Sequence, residues 1–201
     1  MEWTVIRERR AKHLTRTWFL VLTVVCSEFS PADADANDFL CRGEARKMMN
    51  KVKELEQELV GCSAARSLST PVRLPCTRVH VATWRQKPVS ERSAEVLLSL
   101  RLLVQDLHQA KIQNPSGCTN TLLHNLKHNV NNYILTLTQL HTQGGSDRSE
   151  GSDRSDGVKV PGCPAQESQN LGSVLKRFEL LISRKLEYLM TDMMKACPPD
   201  P

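Results

Sequence analysis

Four apolar stripes, and the lengths of chain between them, constrain this sequence more than anything else in it. Cys41, Ala45, Met48, Val52, Leu55, Leu59 and Cys62 recur at steps of three and four. That spacing predicts a first helix of about six turns with one buried face. The second stripe is Leu97, Leu100, Val104 and Leu107, widened by Val96, Leu103 and Ala110. Its helix opens at Ser90, with Ser90 or Ser93 as N-cap, and "QNPSG" (113–117) stops it. Leu122, Leu126, Val130, Tyr133, Leu137 and Leu140 place a third helix over about 119–141. Five asparagines between Asn120 and Asn132 lower its propensity, so tertiary packing has to hold it. Leu171, Val174, Leu175, Phe178, Leu181, Ile182, Leu189 and Met193 mark a fourth helix over about 169–195.

The link between the second and third helices is short, which makes those two antiparallel neighbours. The other two links are long enough for a full-length crossover, which lets a helix run parallel to its predecessor. The pattern is all-α: an up-up-down-down four-helix bundle with two long crossover loops. Aromatic residues are only 4% of the chain, so the core rests on Leu, Val, Ile and Met, which suits helices. The first crossover contains "TPVRLPCTRVHVATWRQ" (70–86), whose two prolines and alternating valines read as extended chain. The second ends in "GVKVPGC" (157–163), and the two crossovers can lie side by side. Between the third helix and that piece, a hexamer Gly-Ser-Asp-Arg-Ser-acid occurs twice, at Gly145 and Gly151. It has nothing apolar to bury, so residues 142–160 read as a flexible linker.

The first 36 residues lie outside this plan. Arg7, Arg9, Arg10, Lys12 and Arg16 precede the apolar run "WFLVLTVVC", which is too short to span a membrane. Ala32, Ala34 and Ala36 follow. This is the pattern of a secretory signal peptide over residues 1–36, cleaved somewhere in 27–36, ahead of a mature domain over 37–201. The mature protein is then expected to be secreted and extracellular, with no membrane insertion. Removing the leader takes away five basic and five acidic residues and leaves the net charge at +5. That balance suits an acidic partner surface and is too dispersed for nucleic acid. Six cysteines remain: Cys41, Cys62, Cys76, Cys118, Cys163 and Cys197. An even number in a secreted chain implies up to three disulfides, among about fifteen possible pairings.

"LSTPVRLPCTRVHVATWRQ" resembles the first crossover of the erythropoietin and thrombopoietin family. Thr-Pro-Val-x-Leu-Pro is similar to the thrombopoietin pattern; Thr77, Arg78, Val79 and the pair Trp84-Arg85 are similar to the erythropoietin one. "SRKLEYLM" before a final cysteine is similar to the family's Arg-Gly-Lys stretch: Arg184 stands at the glycine and Lys185 at the lysine. The resemblance covers about residues 39–197. It implies a long-chain cytokine and the pairings Cys41–Cys197 and Cys62–Cys118, leaving Cys76 and Cys163 for each other. Erythropoietins usually place a second cysteine four residues after the equivalent of Cys62, where this chain has Arg66; thrombopoietins place it before the third helix, where this chain has Cys118. The resemblance is therefore to a thrombopoietin-like cytokine, with an erythropoietin-like hormone as the alternative. It implies a monomeric ligand binding a type I cytokine receptor ectodomain, two copies per ligand. The receptor-binding residues it points to are Arg78, Val79 and Arg85 on the crossover, and Arg184 and Lys185 on the last helix, with Lys185 expected to be exposed. The chain departs from the family in having no N-x-S/T sequon, in reading Arg42-Gly43-Glu44 after the first cysteine, and in Asn131 where an arginine is usual.

Other readings are weaker. His124 and His128 sit one turn apart, but Asn125 stands where a zincin needs glutamate, so they read as a solvated helix face. Ser173-x-x-Lys176 lacks the companion motifs of penicillin-binding enzymes. No nucleophile elbow or phosphate loop occurs, so no enzyme activity, metal or cofactor is expected. A secreted helical lipid carrier is the alternative from another class. The methionines of "YLMTDMMK" read as core filler, and Trp84 as a plug that pins the crossover to the bundle.

Overall fold

The computed structural model describes residues 36–143 and 166–197. The first bundle helix comes in three pieces: α1 (Ala36–Cys41), α2 (Gly43–Met49) and α3 (Val52–Val60). The unbroken helix expected over 41–62 is thus interrupted at Asn50, whose backbone is extended. The interruption is chemically satisfied at both ends. Asn50 Oδ1 accepts the Val52 N–H at 3.0 Å, and the Met49 carbonyl accepts from Asn129 Nδ2 of the third helix at 2.7 Å. The break also shifts the face that points inward. Met48, expected in the stripe, is 70% exposed, whereas Met49 packs on the core and Val52 and Leu55 are buried.

Past a 3₁₀ turn (Ser63–Arg66), the first crossover forms β1 (Val72–Arg73). It pairs antiparallel with β2 (Glu167–Ser168), placing Val72 opposite Ser168 and Arg73 opposite Glu167. Leu68 and Leu74 N–H groups extend the pairing to the Gln169 and Gln166 carbonyls, at 2.6 and 2.7 Å. The crossovers do lie side by side. The partner strand is Glu167–Ser168; "GVKVPGC" lies outside the described residues. The second half of the crossover is helical, not extended: α4 covers Val81–Gln86. Among the described residues no strand continues beside this stretch, and a helical turn closes its backbone groups locally, as in Trp84 N–H to His80 O at 2.9 Å.

The second bundle helix, α5 (Val89–Gln113), starts ahead of both serines expected to cap it; its capping residue is Pro88, which supplies no side-chain bond. Ser93 is buried inside the helix. Three residues lead to α6 (Gly117–Gln143), the third bundle helix, with Gly117 at φ 78°, a conformation that favours glycine. The fourth bundle helix starts with α7 (Leu171–Leu180), capped by Asn170, whose side chain accepts the Ser173 N–H at 3.1 Å. It continues through a π-helical turn (Leu181–Leu186) into α8 (Glu187–Met193) and a last 3₁₀ turn (Met194–Ala196).

The directions follow from contacts. Along the first helix, Phe39, Met49 and Glu58 meet Tyr133, Asn129 and Asn125 of α6, in reverse order, so the first and third helices are antiparallel. Leu59 lies against Gly172, where an added Cβ would come within 3.2 Å of it, and Cys41 is bonded to Cys197, so the first and fourth are antiparallel too. With α5 antiparallel to α6, the bundle is up-up-down-down. Its centre is an aromatic stack, Phe39 on Tyr133 on Phe178, edge to face at 5.9 and 5.8 Å. The disulfides Cys41–Cys197 and Cys62–Cys118 form as the family resemblance implied. Cys76 is also disulfide-bonded, but its expected partner Cys163 lies outside the described residues, as do residues 1–35 of the expected leader and all of the expected linker after residue 143.

Candidate functional site

The first crossover is tied to the bundle at successive points. Arg73 grips Asp106 of α5 through its backbone N–H (2.8 Å), Nε (2.8 Å) and Nη2 (2.7 Å). This carboxylate contact raises the Arg73 guanidinium above its ordinary value. Thr77 Oγ1 accepts from Arg177 Nη1 of α7 at 3.1 Å, and the same guanidinium reaches Gln166 Oε1 at 2.8 Å. The Cys76 carbonyl accepts from Lys185 Nζ at 3.3 Å. Trp84, buried as a plug, puts its ring 4.8 Å from the same ammonium, a cation–π contact in a desolvated place.

Lys185 is therefore the hub of the seam between crossover, α5 and fourth helix. Its side chain is 1% exposed and forms an ion pair with Glu95. Glu95 also takes Lys87 Nζ at 3.2 Å, and Lys87 bridges to Glu91 at 2.9 Å. Its hydrogen bonds to these two carboxylates raise the Lys87 ammonium above its ordinary value. The expectation of an exposed Lys185 is corrected here. The π-turn explains its burial. Buried pairs recur every four residues, at Leu181 and Ile182, Lys185 and Leu186, Leu189 and Met190. An α-helix overshoots about 40° in four residues, and the wider turn absorbs that.

Arg78, Arg85 and Arg184 stand where exposure was expected, and none has an ion-pair partner among the described residues. Val79 is half-buried and packs on the core. Arg78 follows Thr77, and Arg184 precedes Lys185, so the two arginines flank a seam fastened through the Thr77 hydroxyl and the Cys76 carbonyl. The residues that the sequence reading missed are Glu95, Arg177 and Thr77. A signal for Glu95 was present: it falls beside Arg92, Val96, Ser99 and Leu103 on the inward side of α5, where a charge needs a partner. Arg92 has its own, Asp192 of α8, at 2.6 Å. That bond holds the Asp192 carboxyl below its ordinary value, helped by Lys195 at 3.3 Å.

A pocket of about 270 Å³ opens between the first and fourth helices, lined by Arg46, Asn50, Tyr133, Ile182, Ser183 and Glu187 among others. Arg46 spans it, from Glu187 Oε1 at 3.0 Å to the Phe39 and Leu40 carbonyls at 2.9 and 2.7 Å. Burial pushes the Tyr133 phenol up, so it stays protonated. The one carboxylate in this lining, Glu187, is held by Arg46, and neither histidine nor cysteine lines the pocket. Among the described residues no cluster of ligands could hold a metal, and no helix is long and apolar enough to cross a membrane.

No individual curated protein matches the chain. A sequence model of the family described as erythropoietin/thrombopoietin matches residues 45–193, which runs from α2 through the π-turn to the end of α8. The chain belongs to the erythropoietin/thrombopoietin family and is a haematopoietic cytokine of that kind, not an enzyme.

Proposed function

We propose that the protein is secreted and thrombopoietin-like, and that it engages two copies of a type I cytokine receptor ectodomain to stimulate proliferation and differentiation of the megakaryocyte and thrombocyte lineage. The observation that carries this reading is the Cys62–Cys118 bond, which ties the end of the first helix to the start of the third, with Arg66 in place of a nearer cysteine. The leader-like first 36 residues and the disulfides support secretion. The high-affinity receptor contact consists of Arg78, Val79, Arg85 and Arg184, and Lys185 serves it from beneath by fixing the crossover. Rigid display lowers the ordering cost of binding. The test is growth of cells carrying either a thrombopoietin-type or an erythropoietin-type receptor in response to purified protein. A response through the thrombopoietin-type receptor alone is expected. Response through the other alone would reassign the specificity to the erythropoietin-like alternative.

A further inference from the structure

On the seam between α5 and α6, away from the crossover, two lysine–histidine contacts cross in opposite directions. Lys111 of α5 lies 3.2 Å from Nδ1 of His124 on α6, and Lys127 of α6 lies 3.4 Å from Nδ1 of His108 on α5. An ammonium can only donate, so each imidazole is the acceptor, at Nδ1. An accepting imidazole holds an ammonium in place without cancelling its charge. Lys47, Lys51, Lys87, Lys185 and Lys195, by contrast, are each paired with a carboxylate.

The surroundings add further positive charge. His128 is exposed one turn from His124, and Arg101 is exposed two turns before His108 on the same strip of α5. α6 has no Asp or Glu in its 27 residues. α5 has three carboxylates, and all are engaged elsewhere: Glu91 and Glu95 by Lys87, with Lys185 also on Glu95, and Asp106 by Arg73. The carboxylate seen to reach α6 from the first helix, Glu58, takes Asn125 Nδ2 at 3.4 Å.

We propose that this α5–α6 face binds a sulfated polysaccharide, with Lys111 and Lys127 as its two principal sulfate contacts. Uncompensated cations fixed across a rigid helix pair attract a polyanion through counterion release. Sulfate groups along an extracellular chain supply that charge, which rests on the secreted reading above. The face is separate from the arginine-flanked seam, so retention on a cell-surface or matrix polysaccharide is compatible with receptor binding.

The test is binding of the purified protein to immobilised heparin, to desulfated heparin and to phosphatidylserine vesicles. Binding to heparin that weakens with salt, and little to the other two, is expected. The double variant Lys111→Ala/Lys127→Ala should bind about tenfold more weakly at physiological salt, with unchanged helicity and receptor binding. Lys51→Ala/Lys53→Ala, which removes the same charge from the first helix, should bind like the unaltered protein. Equal binding to desulfated heparin, binding to vesicles but not heparin, or equal losses in the two double variants would each overturn the proposal.

Discussion

A lysine almost fully removed from water survives only where its charge and donors are met. Lys185 has Glu95, the Cys76 carbonyl and the Trp84 ring. Removing one partner of such a pair leaves an uncompensated charge, so Lys185→Met is expected to destabilise the protein by about 3 kcal/mol in chemical denaturation. Adding Glu95→Leu should recover part of the loss, since an apolar pair of similar volume is nearly neutral. Arg184→Glu, one residue away but exposed, should leave stability unchanged and weaken receptor binding by more than about 1 kcal/mol. Equal stability loss at both positions would refute the division into peg and contact. Asp192 makes a pH prediction. Its carboxyl titrates below the ordinary 3.8 when folded, chiefly through the bond from Arg92. A lowered folded value stabilises above the unfolded value and is lost as pH falls through the folded one. Below about pH 4, therefore, thermal stability should fall more steeply in the unaltered protein than in Asp192→Asn.

At the scale of elements, the helices depart from ideal geometry where another element compensates. The first helix breaks at Asn50 because Asn129 of α6 takes up the carbonyl that the break releases. Asn129→Ala is expected to cost about 1–3 kcal/mol, through an unmet buried carbonyl, without loss of helicity at the other helices; urea denaturation with circular dichroism checks it. The asparagine-rich third stripe read only as low helix propensity in the sequence. That one of those asparagines repairs a different helix depends on a contact 80 residues away, which no periodicity encodes. The π-turn is similar. The four-residue recurrence of buried positions in 181–190 was present in the sequence, but Lys185 was left out of the stripe because a charged residue is assumed to face solvent.

For the whole molecule, the disulfides close the topology. Cys41 and Cys197 are 156 residues apart, and a loop of that length corresponds to about 5 kcal/mol of unfolded-state entropy in the chain model. Cys41→Ser/Cys197→Ser should lower stability by about 2–5 kcal/mol in guanidinium unfolding while keeping the bundle helical at low temperature. The number and order of helices, the antiparallel pair at the short link, and the two crossovers were determined by the sequence alone. Apolar periodicity and link length are local properties, and they leave few ways to bury four stripes. The family resemblance followed from the crossover and the last helix. Tertiary structure alone decided where the first helix breaks, that half the crossover coils into α4 around Trp84, and that Lys185 turns inward. Each depends on whether a backbone group or charge finds a partner on a distant element, and that free energy exists only once the bundle has assembled.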